Sequence, residues 1–224
     1  MKIAHFRSFL LLLTVCWYSS AIGQNYNNGP AITGQGEIVK KKLNVDNFHS
    51  VGLGINATVY LTQGSSHSVE IEAQQNIIDN LELDVENGSW NIEGKKRIKD
   101  YKAVVIHITM PTVKALSIGG SGKIIGKSEF KNLEELKVAI GGSGEVSLAG
   151  SATATSISIA GSGKVDVRQL GSGSSKVSIA GSGDAFVDVK DKLTVSIAGS
   201  GSVFYNGKPS VKTSVAGSGK VESL

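Results

Sequence analysis

Only one cysteine, Cys16, occurs in the 224 residues, and it sits in an apolar leader. Without it, residues 24–224 can form neither a disulfide scaffold nor a thiolate metal site. Concentrated positive charge is lacking too. Residues 24–224 carry 21 basic and 19 acidic side chains, a net of +2, and the lysines are scattered among acids. Nucleic acid is therefore not an expected partner, since it would demand a basic stripe. No second apolar run reaches membrane length after the leader, so no integral membrane segment is expected there. Short strands paved outside with Ser and Ala would also make a poor lipid-facing barrel.

Recognisable catalytic and cofactor patterns are missing as well. His49, His67 and His107 never fall at metal-ligand spacing, and no Gly-x-Ser-x-Gly elbow exists. Gly126-Lys127-Ser128 hints at a phosphate loop, but the glycine required five residues upstream is replaced by Ser121. Around Gly120 the third glycine of a dinucleotide fingerprint falls one place late. Asp184 after Gly183 imitates a calcium turn, yet the equivalent residues are Lys123, Glu145, Lys164, Ser202 and Lys220. A stacked calcium site needs carboxylates in successive coils. No catalytic residue, metal or cofactor is expected, and the chain reads as a non-enzyme.

What is present begins with Lys2, His5 and Arg7, an apolar run from Phe9 to Val15, and small residues ending Ala21-Ile22-Gly23. This is the pattern of a signal peptide over residues 1–23, too short for a membrane anchor. Leu13-Thr14-Val15-Cys16 matches a lipobox poorly, because bulky Val15 stands where a small residue belongs. Residues 24–36, rich in Asn and Gly, read as a flexible tether. A single domain is expected over 37–224, with an irregular β-rich half to 112 and repeats from 113 onward. In the first half, Asn87-Gly88 predicts a hairpin, 74–80 one helical turn and Lys95 to Lys102 a solvated turn.

Six Gly-Ser-Gly triplets, centred on Ser121, Ser143, Ser162, Ser182, Ser200 and Ser218, recur at intervals of 22, 19, 20, 18 and 18 residues. Each is entered and left by alternating apolar residues of one parity, such as Leu193, Val195 and Ile197 before Gly199, then Val203 and Tyr205 after it. Period two with one apolar face is a half-buried strand. A strand pair that small buries its face only by stacking on neighbours, which predicts a parallel β-solenoid with Gly-Ser-Gly turns between sheets. Val138, Ile140, Val146, Ile159, Val165, Ile179, Val195, Ile197 and Val215 should line its core, and no C-terminal cap is visible.

Outward positions separate two faces. On strands entering the turns they run from Ser117 and Gly119 through Ser158, Ala160, Ser178, Ala180, Ser196 and Ala198 to Ser214 and Ala216, with no charged or large residue. Such a strip suits close approach by another surface, or it simply packs well in registered ladders. On strands leaving the turns the outward residues are mostly charged, and Phe186 and Phe204 should stack about 5 Å apart on adjacent coils. These aromatics are a candidate contact for a sugar or a partner side chain. Asp166, Asp184, Asp188 and Asp191 lie in neighbouring repeats and are the only carboxylates for the alternative reading, a polysaccharide lyase or glycosidase; solvation explains them equally well.

Gly52-Leu53-Gly54-Ile55-Asn56, followed by 58–64 and then the triplets, resembles the head GIN domain of the auto-transporter adhesin family, the eponymous residues being Gly54, Ile55 and Asn56. The resemblance runs from about Glu37 to Leu224. It implies an all-β, right-handed parallel β-helix in an exported bacterial protein of Bacteroidetes type, periplasmic, outer-membrane-associated or extracellular. The resemblance also implies an adhesin and supplies no catalytic residues. A rigid solenoid presenting a binding or assembly face is the leading reading, with an unknown protein or polysaccharide as surface ligand or a homo-oligomer as the outcome.

Overall fold

The computed structural model describes residues 30–224; the expected signal peptide, Cys16 and residues 24–29 lie outside them. Each repeat forms two walls of a β-solenoid of about five turns. Leu116, Val138, Ile157, Val177, Val195 and Thr213 stack along one wall in parallel register. Ile124, Val146, Val165, Ala185, Val203 and Val221 stack along the other. Backbone pairing hardly lapses within a coil, so strands run long, as in Lys123–Gly142 and Lys164–Gly181.

The expected tight turns are corners between walls, and the ladder passes straight through them. Ser182 N–H donates to Gly161 O at 2.8 Å and Asp184 N–H to Gly163 O at 3.0 Å. The two glycines of a triplet serve different ends. Gly181 sits at φ +128°, where other residues are strained. Gly183 does not, but a Cβ there would meet Gly163 O at 2.5 Å and Ile159 Cγ2 at 2.6 Å. Positive φ was expected at both flanks; only the first needs it, and the second needs emptiness above the coil below. Gly171-Ser172-Gly173 repeats the triplet off the period, and there neither glycine has positive φ. Ser172 is instead buried and donates to Asp188 O at 3.0 Å.

The irregular half continues both walls. Ser50–Leu53 pairs with Ala115–Gly120 on one side and Ser89–Ile92 on the other. Thr58–Gln63 lies between Lys123–Gly142 and Val105–Met110. Beyond that, Ser68–Gln74 and Ile38–Leu43 add antiparallel strands. The Asn87-Gly88 hairpin forms, with φ of 52° and 71°, and a short helix occupies Gln75–Asp79.

Three further expectations need correction. Val215 is 42% exposed, although Ile197 in the same stack is 1% exposed, because among the described residues Ser210–Gly217 pairs only with Asp184–Gly199 and its far side is uncovered. The Lys95 to Lys102 stretch is not only a turn, since Ile98–Asp100 is a strand. Residues 32–33 of the expected tether pair with it in a two-stranded parallel sheet. Gln35 N–H and the Thr33 carbonyl are further held by the Asn76 side-chain amide. The segment's extended residues find unpaired backbone partners, which outweighs its breaker-rich composition.

Candidate functional site

The Gly54, Ile55 and Asn56 motif sits at the first corner of the stack. Leu53 pairs with Ile118 before the corner and Thr58 with Lys123 after it, so 54–57 lie against 119–122. Lys123 N–H donates to Ala57 O at 2.9 Å, just as Glu145 N–H donates to Gly122 O at 3.0 Å one coil later. The coil on the other side expands this corner into 93–104. From there the Tyr101 hydroxyl donates to Asn56 O at 3.0 Å, and burial raises the Tyr101 pKa above its usual value. The motif therefore helps to shape this corner of the solenoid, where it also lines a shallow cavity of about 340 Å³ with Glu93, Lys96, Arg97 and Tyr101.

On the entering wall, Ser117, Ala139, Ser158, Ser178, Ser196 and Ser214 are paired in one row, and Gly119, Gly141, Ala160, Ala180, Ala198 and Ala216 in the next. All are exposed except half-buried Ser178. The rows span about 24 Å at ordinary strand spacing. From Ala139 to Ala198 the rows line a shallow, mainly apolar groove of about 450 Å³.

The leaving wall is different. Ser147, Asp166, Phe186, Phe204 and Glu222 form one outward row. Phe186 and Phe204 stack at 4.9 Å with 15° between planes, as expected. Arg168 and Lys164 lie over Phe186, at 4.7 and 5.2 Å from its centroid. The faces of Phe186 are thus occupied by its neighbour and the two cations, which leaves ring edges for a ligand and removes face-on sugar stacking there. Sequence reasoning missed Arg168, whose signal was its outward parity two places after Asp166.

Arg168 Nε donates to Asp166 Oδ1 at 2.9 Å. That hydrogen bond, opposed by partial burial, holds the Asp166 carboxyl below its usual pKa. Asp184 accepts from Ser202 N–H at 3.1 Å, and Asp188 and Asp191 lie on a different side, near Gly171 and Gly173. The four carboxylates do not converge on one point. Among the described residues, no cluster of three His, Cys, Asp or Glu is placed to hold a metal. His67 contacts Phe48 O at 2.7 Å, and His49 contacts Ser50 Oγ at 3.0 Å, both local structural roles.

The sequence model of the family described as "Putative auto-transporter adhesin, head GIN domain" matches residues 47–209. The chain belongs to this family. Solved structures share its fold. A putative adhesin from Bacteroides fragilis superimposes with TM-score 0.72 at 21% identity, covering 87% of this chain and 100% of its own. A putative lipid binding protein from Parabacteroides distasonis gives 0.56 at 19% identity, with coverage of 87% and 100%. A putative adhesin from Parabacteroides merdae gives 0.52 at 20% identity, with coverage of 88% and 100%. At these identities the likeness is one of fold. No curated protein matches the chain. Among the described residues, no helix is long and apolar enough to cross a membrane.

Proposed function

We propose that this head GIN domain is a non-catalytic, exported surface module that works by contact, with the Gly/Ala/Ser ribbon of the entering wall as its docking or assembly face. The observation that supports this reading is the ribbon itself: two registered rows, exposed but for half-buried Ser178, with no residue charged and none larger than Ser, over six strands. A solvent-facing sheet ordinarily carries charge, and a sheet edge or face without it invites pairing with another surface. Small side chains let a second flat surface approach closely over the whole length. A rigid solenoid suits that role because its spacing is fixed by the backbone ladder. Membership of an adhesin family supports the same reading.

Arg at Ala160, Ala180 and Ala198 together should abolish self-association in sedimentation velocity, or retention on bacterial outer-membrane vesicles, with the circular dichroism spectrum unchanged. Three long cations would hold the surfaces apart and strand charge between them. Arg at exposed Glu134, Thr153 and Asp191, away from the ribbon, is the control and should behave as wild type. Indistinguishable triple variants would reduce the ribbon to ladder packing.

A further inference from the structure

Beside the aromatic column, the leaving wall carries a cleft of about 530 Å³ lined by Ser147, Leu148, Asp166, Arg168, Gln169 and Asn206. It crosses from the coil of Ser147 to that of Asn206, three strand spacings or about 14 Å along the solenoid axis. Its volume lies within the range of small-ligand sites. We propose that this cleft binds a neutral polysaccharide laid along the axis, a surface separate from the ribbon and independent of its role.

Three observations point to this ligand class. First, the cleft is polar and rich in groups with several donors or acceptors: a guanidinium, a carboxylate, two amides and a hydroxyl. Neighbouring hydroxyls of a sugar both donate and accept, and planar carboxylate, guanidinium and amide groups can meet two at once. Second, the charge is balanced. Arg168 is committed to Asp166, and Lys164 faces Asp184 in register, two bases against two acids. A polyanion would meet as many acids as bases here, whereas a neutral chain keeps the internal pair intact. Third, the groups are held before any ligand arrives. Arg168 is pinned between the Asp166 carboxylate and the Phe186 ring, and Asp166 also faces the Arg168 backbone N–H at 3.4 Å. Preorganisation of this kind lowers the entropy cost of binding. The outward edges of Phe186 and Phe204 form an apolar rim against which the CH groups of a sugar can rest without face-on stacking.

The test is affinity electrophoresis of the purified protein through gels containing dextran, mannan, xylan or arabinogalactan, beside gels containing polygalacturonate or chondroitin sulfate. The expected result is retardation by at least one neutral polymer, weakened about tenfold in Arg168→Gln and in Asn206→Ala. The ribbon variant A160R/A180R/A198R should keep that retardation, so failure of the docking reading and failure of this one are read separately. No retardation by any of the neutral polymers, retardation by the polyanions alone, or retention undiminished in the cleft variants each overturns the proposal. If Arg168→Gln disturbs the fold by circular dichroism, Gln169→Ala replaces it, since that side chain is exposed.

Discussion

In the first half of the solenoid, Trp90, Leu61, Ile77 and Met110 are fully buried, and Trp90 is held by a 3.0 Å hydrogen bond from its indole N–H to Glu82 O. The edge beyond them, Ile38–Leu43, carries Lys40, Lys41 and Lys42. In the last coil, every residue of the strand Ser210–Gly217 is exposed, Val211 and Val215 included, and Lys212 is the one charged side chain of that strand. Both regions extend the same two ladders with the same inward parity. What differs is the neighbour. In a solenoid each coil is buried by the next, so identical residues are core in the middle of the stack and surface at its end. The lysine-rich edge is defended against pairing with other chains, and the strand Ser210–Gly217 is far less so.

The largest effect should come from placing one charge at two depths of this stack. Ile179 is 2% exposed between two coils, and Ile179→Asp should prevent folding, because an unpaired buried carboxylate costs several kcal/mol. Val215→Asp puts the same change at the same parity in the open coil and should cost only about 0.5 kcal/mol, the scale of surface substitutions. Thermal melts followed by circular dichroism decide it. Equal loss in both variants would mean that the last coil is covered in solution.

A smaller contrast separates glycines needed by the corner from glycines of the ribbon. Gly181→Ala meets Gly161 O at 2.4 Å and a strained φ, and should cost about 1–3 kcal/mol. Gly119→Ala meets nothing within 4 Å and should be neutral or slightly stabilising through the unfolded chain. If both alanines destabilise alike, the division of labour along the corner is wrong.

The solenoid was legible because its two signals, period-two parity and a fixed triplet spacing, both come from backbone geometry that repeats. The spacing carried the information, not the triplet: Gly171-Ser172-Gly173 has the same residues and none of the conformation. The exposure of Val215 was not legible, since parity tells which way a side chain points and not whether a coil lies above it. Pairing of residues 32–33 with Ile98–Asp100 was hidden for a related reason, because two short segments far apart in sequence meet only through the expanded corner. Of the candidate surfaces, the ribbon and the Phe186 and Phe204 stack could be read from register alone. The placement of Arg168 over the ring depends on a rotamer, which no pattern of residue types encodes.

The smallest effect compares ion pairs at opposite ends of the pH scale. In the repeats, the Arg168 hydrogen bond depresses the Asp166 pKa. Its stabilisation is present above the usual aspartate value of about 3.9 and is lost as pH falls through the lower folded value. In the first half, Lys40 is raised above its usual value, chiefly by its hydrogen bond to Glu70. Its contribution is present below the usual lysine value of about 10.4 and is lost as pH rises through the higher folded one. The advantage of wild type over Arg168→Gln should therefore hold at neutral pH and fade only in acid. Its advantage over Lys40→Gln should hold at neutral pH and fade only in alkali. Both differences should be slight, because exposed pairs are screened and Lys40 and Glu70 are 59% and 45% exposed. Melting temperatures measured across pH for the three proteins give the answer. Loss of both advantages at the same end of the scale would show that the two halves do not titrate separately.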